Sequence, residues 1–510
     1  MASTSVTSNA CVPVPASGDR EVSAWVRTAQ RWDSSTLASA LASLMDKVPE
    51  ARSAAQIAIA GVETRRKNRE AANGSRPRAR SSEPQVDFLN LLPRVVCTAV
   101  LRFLDMGSLA RASRVSKRWL RRCSSPSVDD LWKDEFLRLH PDSTFLHNLR
   151  MWRNYNWRGL CQLQGKSRNG WVNKPVESRR FLGHRDRVRH VRLRRDMIVS
   201  SSWDRTLRAV NLSDDSEGEL SKQVGSHSGS VYGVAFDGDI AVACSEDPVV
   251  KIWSVVKENC IAELVGHESA VYRVAMISSE ILVSCSSDFV GVWHWPSSTL
   301  LHKLLGHTHD VHRIQVNDNM IVTGSYDCTV RVWGYPSCNT LWVSPACHKS
   351  GVSCLHFQNG ILATGSAKGE VYVWDLETGA RRHSFDPDHH NESTISCIMV
   401  SGKRVISTSY LSLRDNAGII CVWDAVEGQL LAKLVEPFHV NALKKDLGLL
   451  FCACSDGVLR VRQENRNDLL IRRELKHGDQ ALYDVDVQGS RAVTCGLDRA
   501  VVLWTALIDA

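Results

Sequence analysis

The sequence predicts a mainly β fold, a closed eight-bladed β-propeller preceded by a small α-helical region. Three observations lead there. Self-comparison finds a unit of about 40 residues recurring from Arg179 to Ala510, which marks a repeat architecture rather than one packed core. Each unit reads as a His, a Val-x-x-Val strand, a second strand ending Ser/Thr-x-x-x-Asp, and a third strand ending in Trp. Ahead of the repeats, between Asp87 and about Leu163, apolar residues recur at helical rather than strand spacing.

The clearest copy of the unit is Gly306-His307, Val311-His312-Arg313-Ile314, Thr323-Gly324-Ser325-Tyr326-Asp327 and Val330-Arg331-Val332-Trp333. Its Asp position falls at Asp204, Asp247, Asp288, Asp327, Lys368, about Asp415, Asp456 and Asp498. The steps of 43, 41, 39, 41, 47, 41 and 42 residues make eight copies. The terminal aromatic position reads Val210, Trp253, Trp293, Trp333, Trp374, Trp423, Arg462 and Trp504. Six copies are clear and two degenerate: the sixth carries an insertion around Tyr410–Asn416, and the seventh has lost its Trp. Four short strands per unit would bury alternating side chains between neighbouring blades. Ser178–Leu182 precedes the first Gly-His without a blade of its own and is placed to become the outer strand of the last blade, hiding the sheet edges.

The recurring His, Ser/Thr and Asp imitate a catalytic triad, as in His307, Thr323 and Asp327 or His184, Ser200 and Asp204. An active site is built once, whereas this trio recurs in most blades. Buried polar groups need partners, so the trio reads as a structural hydrogen-bond network of His, Ser/Thr, Asp and Trp. Lys368, Val210 and Arg462 interrupt it in single blades. No catalytic residue, metal ligand or cofactor site is predicted.

Composition sets outer bounds. The 510 residues are 43% hydrophobic and 23% charged, an ordinary globular balance. The net charge of +8 is uneven: the first 177 residues hold 28 Lys/Arg against 16 Asp/Glu, and the remainder 35 against 39. A nearly neutral repeat region argues against nucleic acid as the ligand. The 16 cysteines include no C-x-x-C pair, which disfavours a zinc ribbon. Cys244, Cys285 and Cys495 share one repeated position and read as small core residues; Cys452 and Cys454 should share one strand face. Reduced thiols and the lack of a ~18–20-residue apolar run lead us to expect a soluble protein of cytoplasm and/or nucleus, not of membranes.

Along the chain, residues 1–20 read as disordered. Residues 21–61 form a helical segment in which Leu37, Leu41, Leu44, Met45 and Val48 share one face, a stripe that suits either local packing or a homodimer. Residues 62–86 form a basic linker. Residues 87–135 make a compact helical bundle, 136–177 a helical linker and 178–510 the propeller, with the next helices after the bundle's apolar run at Leu131–Leu139 and Phe145–Leu163. A bundle so small rarely buries enough surface to stand alone, so a partner should complete it.

Two motifs give the organisation a family resemblance. Gly-His early and Trp-Asp late, as in Trp374-Asp375 and Trp423-Asp424, resemble the WD-repeat signature over about 330 residues, which implies an eight-bladed WD-repeat β-propeller. Leu92-Pro93, Leu101-Arg102-Phe103-Leu104-Asp105, Leu109, Val115-Ser116-Lys117-Arg118-Trp119 and Leu131-Trp132 resemble an F-box, with Val95 where that family often has Glu. This second resemblance implies docking to the Skp adaptor of a cullin-scaffolded ubiquitin ligase. Leu92, Pro93, Val96, Leu101, Leu104, Leu109, Val115 and Trp119 would then meet the adaptor. Gln30-Arg31-Trp32-Asp33-Ser34-Ser35, with the leucines after it, looks like the dimerisation segment of some WD-repeat relatives.

Function on a propeller sits in loops at the ends of the central channel. The residue after the first Val of each unit reads Arg189, Tyr232, Tyr272, His312, Ser353, Ser396, Asn441 and Tyr483. The residue before the Asp reads Trp203, Glu246, Ser287, Tyr326, Ala367, Tyr410, Ser455 and Leu497. Aromatic and Arg side chains dominate interface energetics. The predicted substrate-binding residues are therefore Arg187, Arg189, Trp203, Tyr232, Tyr272, His312, Tyr326 and Tyr483, over blades one to four and eight. The bland alternative is that Tyr232 and Tyr272 only plug the channel mouth. Relatives that read phosphorylated segments use several Arg from neighbouring blades; Arg189 matches such a place, but Tyr232 and Tyr272 occupy the next two. A mixed aromatic and basic site for a protein substrate, phosphorylated or acidic, fits better. The leading expectation is the substrate receptor of a cullin-based ligase; the rival is a WD-repeat scaffold outside any ligase.

Overall fold

The computed structural model describes residues 157–213, 221–345, 348–386, 393–410, 417–464 and 468–507. One helix, Trp157–Asn173, is followed by 32 strands arranged in eight four-stranded antiparallel sheets. Blade 1 takes Val188–Arg194, Met197–Ser202, Thr206–Asn211 and Lys222–Ser226 in spatial order, and blades 2 to 7 repeat this meander. The first strand of each blade packs against the first strand of the next, and that of blade 8 against that of blade 1. These eight inner strands close a ring around the central channel.

Closure uses the strand that precedes the first blade. Val176–Phe181 pairs antiparallel with Val501–Ala506 as the outermost strand of blade 8, from Val176 opposite Ala506 to Phe181 opposite Val501. It begins two residues earlier than Ser178. Phe181 is buried with Val493, Val501 and Leu503 of blade 8 and with Val188, Val191 and Ile198 of blade 1, so the strand also seals the last blade interface. Arg180 fastens its outer face to Asp498 at 2.6 Å.

The core consists of eight apolar wedges, one between each pair of neighbours. Between blades 3 and 4, for example, Val283, Val290 and Val292 meet Val311, Ile321 and Trp333. Second strands are buried along nearly their whole length, as in Ile361–Ser366. That is why they read as continuous apolar or small-residue runs instead of alternating ones. Cys244, Cys285, Cys452, Cys454 and Cys495 are all buried in these wedges, where burial pushes each thiol well above its ordinary value.

The helix runs on to Asn173, past the Leu163 at which the apolar spacing fades. Its last turns are held by tertiary contact rather than by an apolar stripe. Trp171 is fully buried against Leu449, Phe451, Leu482 and Trp504 between blades 7 and 8, and its indole N–H donates to the Gly489 carbonyl at 2.8 Å. Phe451 meets it edge-on, with ring centroids 5.1 Å apart. A single aromatic anchor has no period to detect in sequence. The remaining predicted helices, the residues assigned to the adaptor and the 21–61 stripe lie outside the described residues. Replacing Trp171 with Ala should destabilise the propeller by about 3–5 kcal/mol, the usual cost of emptying so large a buried site, measured by chemical denaturation.

Candidate functional site

Seven of the eight blades carry a β-bulge at one place, and that bulge builds the face. Pairing of the first two strands skips one residue between Val188 and His190, Val231 and Gly233, Val311 and Arg313, and Leu482 and Asp484, with the same shift in blades 5, 6 and 7. A bulge leaves its extra residue out of the ladder and re-aims its side chain. The skipped residues include Arg189, Tyr232, His312 and Tyr483. Tyr272 stands at the same place in blade 3, just before its first strand Arg273–Met276.

The structure brings the predicted residues into two groups. Over blades 8 and 1, the Arg187 guanidinium lies 4.3 Å from the Trp203 ring centroid, and Arg189 lies 5.9 Å from Trp203 and 4.8 Å from Tyr483. These are cation–π distances. Over blades 2 to 4, Tyr232 stacks on Tyr272 at 5.9 Å, Tyr272 on His312 at 4.1 Å, and His312 meets Tyr326 at 4.3 Å. Carboxylates hold this second group: Tyr232 donates its hydroxyl to Glu246 at 3.1 Å and Tyr272 donates to Asp310 at 3.3 Å. Burial, then the neighbouring Arg313, pulls His312 down to about 4, so the stack carries no imidazolium at neutral pH. Tyr326 keeps 46% of its surface exposed. The Trp203 indole N–H and Arg187 Nε are buried without a hydrogen-bond partner among the described residues.

One residue further along, the inner strands read His190, Gly233, Arg273, Arg313, Cys354, Cys397, Ala442 and Asp484. The sequence reading did not select this column. Arg273 donates to His190 Nε2 at 3.0 Å, and the other ring nitrogen of His190 donates to Asp484 at 3.1 Å. Asp484 also accepts from Arg192 at 2.7 Å. The signal that could have found these groups was two arginines at one repeat position in adjacent blades.

The triad-like residues form the expected structural networks. In blade 4, His307 bonds Asp327 at 2.7 Å and Thr323 at 2.9 Å, and Trp333 donates to Thr323 at 3.1 Å. Blades 3 and 8 repeat this arrangement. Blade 5 differs from its sequence reading. Lys368 stands at the Asp position, but Glu370, two residues on, supplies the carboxylate 3.5 Å from His348, because a longer side chain just ahead of the strand Val371–Asp375 reaches the same ring. In blade 7, Glu436 occupies the His position and Arg462 the Trp position, and the two form an ion pair at 2.5 Å. Among the described residues, no group of His, Cys, Asp and Glu could hold a metal ion, and no helix is long and apolar enough to cross a membrane.

This is a repeat propeller that carries a face of aromatic and arginine side chains, with its His networks committed to structure. An F-box-like family model matches residues 89–138, and the WD domain, G-beta repeat model matches 218–254, 298–334 and 340–375. The chain carries an F-box-like domain and WD repeats, consistent with an F-box/WD-repeat protein. It is 27% identical over 194 residues to the WD repeat-containing protein pop1 of Schizosaccharomyces pombe, covering 34% of this chain and 24% of that protein. It is also 27% identical over 155 residues to the kinesin-like protein KIF21A of Homo sapiens, covering 29% of this chain and 9% of that one. The matches thus span about a quarter or less of the length of these curated relatives. The computationally designed Ika8 protein superposes with a TM-score of 0.55 at 25% identity, covering 64% of this chain and 98% of that one.

The networks predict an acid response. Burial alone would raise Asp247, but hydrogen bonds from Ser228 and His227 outweigh it and hold it near about 2; Glu370 is likewise held near about 2 by His348 and Lys349 N–H. Folded values below the unfolded ~4 mean that their stabilisation is fully present above pH ~4. It is lost as pH falls toward 2. Melting temperature should therefore drop steeply over that window, and Glu370→Gln should flatten part of the drop, as read by calorimetry.

Proposed function

We propose that this protein is the substrate receptor of a cullin-based ubiquitin ligase, with the F-box binding the Skp adaptor and the propeller face holding the protein substrate. The observation that carries the reading is the coexistence in one chain of an F-box-like domain at 89–138 and an eight-bladed propeller bearing an aromatic–arginine face. Leu92, Pro93, Val96, Leu101, Leu104, Leu109, Val115 and Trp119 fill the adaptor's groove. Arg187, Arg189, Trp203, Tyr232, Tyr272, His312, Tyr326 and Tyr483 hold the substrate, and the 21–61 stripe pairs two copies. The ligase works in cytoplasm or nucleus.

This chain performs no bond chemistry in that role. It acts by proximity: holding a substrate lysine near a ubiquitin-loaded enzyme replaces a bimolecular encounter with an effectively intramolecular one. The buried Trp171 anchor supports this by fixing the helix end against blades 7 and 8, so the end of the linker does not swivel on the ring.

Two outcomes follow. Leu92→Ala with Pro93→Ala should abolish co-purification of the Skp adaptor; retention at wild-type level sinks the receptor reading and leaves the scaffold alternative. Arg189→Ala with Tyr272→Ala should abolish capture of proteins that accumulate on the chain under proteasome blockade, with the melting temperature nearly unchanged. A matching loss of folding would show that the pair is structural.

A further inference from the structure

The aromatic face is divided by charge. The loops that carry the stacked rings of blades 2 to 4 are residues 227–232, 244–250, 267–272, 285–290, 307–312 and 325–330. They hold Glu246, Asp247, Glu268, Asp288, Asp310 and Asp327, and no Lys or Arg. The matching loops of the flanking blades carry Arg185, Arg187, Arg189 and Arg205 in blade 1, and Lys349 and Lys368 in blade 5. Asp247, Asp288 and Asp327 are committed to the His networks. Glu246 and Asp310 stand instead at the rings and accept from neutral donors. Glu246 takes the Tyr232 hydroxyl and the Ser230 N–H, and Asp310 takes the Tyr272 hydroxyl. Each therefore keeps its negative charge beside the stack.

The arginines one residue deeper are tied elsewhere. Arg273 donates to His190 of blade 1, and Arg313 to the backbone carbonyls of His312 and Ser353. Burial, with Arg313, keeps His312 neutral, so the stack holds π faces and no cation of its own. Two glycines make room for its outer members. A Cβ on Gly229 would stand 2.6 Å from the Glu246 side chain, and one on Gly351 of blade 5 would overlap the Tyr326 ring. Both Glu246 and Tyr326 remain exposed. The face of an aromatic ring is the negative end of its quadrupole, and a carboxylate at its edge adds to the same sign.

We infer that the stack of Tyr232, Tyr272, His312 and Tyr326, with Glu246 and Asp310 at its edge, docks a basic side chain of the bound protein segment, arginine before lysine. Charge complementarity selects that occupant, since an acidic side chain would meet like charge here. A guanidinium lies flat on a ring, turns its fork to a carboxylate and is more weakly hydrated than an ammonium. The inference rests on the receptor reading and gives the site a direction: the segment lies with its basic residue over blades 2 to 4.

The test uses the full chain co-expressed with its adaptor. The probes are degenerate fluorescent peptide libraries, free of other charged residues, with arginine, lysine or citrulline fixed at the central position. Citrulline keeps the shape of arginine without its charge. The wild type should bind the arginine library about tenfold more tightly than the citrulline library, with lysine between them. E246Q/D310N, whose amide oxygens still accept the tyrosine hydroxyls, should lose the preference, and E246D/D310E should keep part of it. Tyr326→Ala should weaken arginine binding with the melting temperature nearly unchanged, because that ring is exposed; it carries the decision if E246Q/D310N does not fold. Equal binding of the arginine and citrulline libraries by the wild type, or a preference unchanged in E246Q/D310N or in Tyr326→Ala, overturns the inference. So does a concentration-dependent doubling of mass that E246Q/D310N abolishes, which assigns the surface to a second copy of the chain. Each of these results leaves adaptor capture, and hence the receptor reading, untouched.

Discussion

The pairing of Val176–Phe181 with Val501–Ala506 is the constraint on which the ring depends. No blade has a core of its own; every apolar wedge is shared between two neighbours, so a missing interface exposes both halves of its wedge. The pairing joins residues more than 300 positions apart, a costly loop to close. Phe181 in the last wedge and Arg180 on Asp498 reinforce it on both faces of the strand. The ring in turn holds the inner strands at fixed spacing, and that spacing makes neighbouring side chains on the face meet.

The polar networks show what the ring demands and what it tolerates. In blades 1, 3, 4 and 8 a buried His meets a carboxylate on one ring nitrogen and a hydroxyl on the other, and the carboxylate need not come from a fixed sequence position, as Glu370 in blade 5 shows. Blade 7 goes further, replacing His and Trp with the buried pair Glu436 and Arg462. An ion pair in such a place survives because Arg462 also donates to the Leu469 carbonyl, which satisfies part of its fork. The repeat therefore fades in sequence while the blade persists in space.

The face combines two chemistries that the bulge places side by side. Cation–π contacts over blades 8 and 1 keep Arg187 and Arg189 in place without neutralising them. Tyrosines tied to carboxylates over blades 2 to 4 form a rigid stack with little rotamer freedom left to lose. Ordered aromatic and arginine groups bind with less entropic cost than mobile ones, which is why such sets recur at interface centres.

The repeat unit, the eight blades, the closing strand and the structural nature of the His-Ser/Thr-Asp trio were all legible in the chain, because each leaves a periodic trace. So was the column Arg189, Tyr232, Tyr272, His312 and Tyr483. The F-box-like segment was legible as a motif and is matched as one. What needed the tertiary structure was whatever has no period or spans distant blades. Trp171 anchors a helix end through one indole; Glu370 substitutes for a carboxylate two residues away; Glu436 and Arg462 meet across the boundary of two blades. The column containing His190, Arg273 and Asp484 was visible as letters, yet His190 bridges Arg273 and Asp484 only because blade 3 reaches blades 1 and 8 in the ring. Local sequence determines which strands form and which faces they bury, since those follow from alternation and turn chemistry. Pairing between charges is decided only when the ring closes, because it sets residues of blades 1, 3 and 8 within a few ångströms across hundreds of positions of chain.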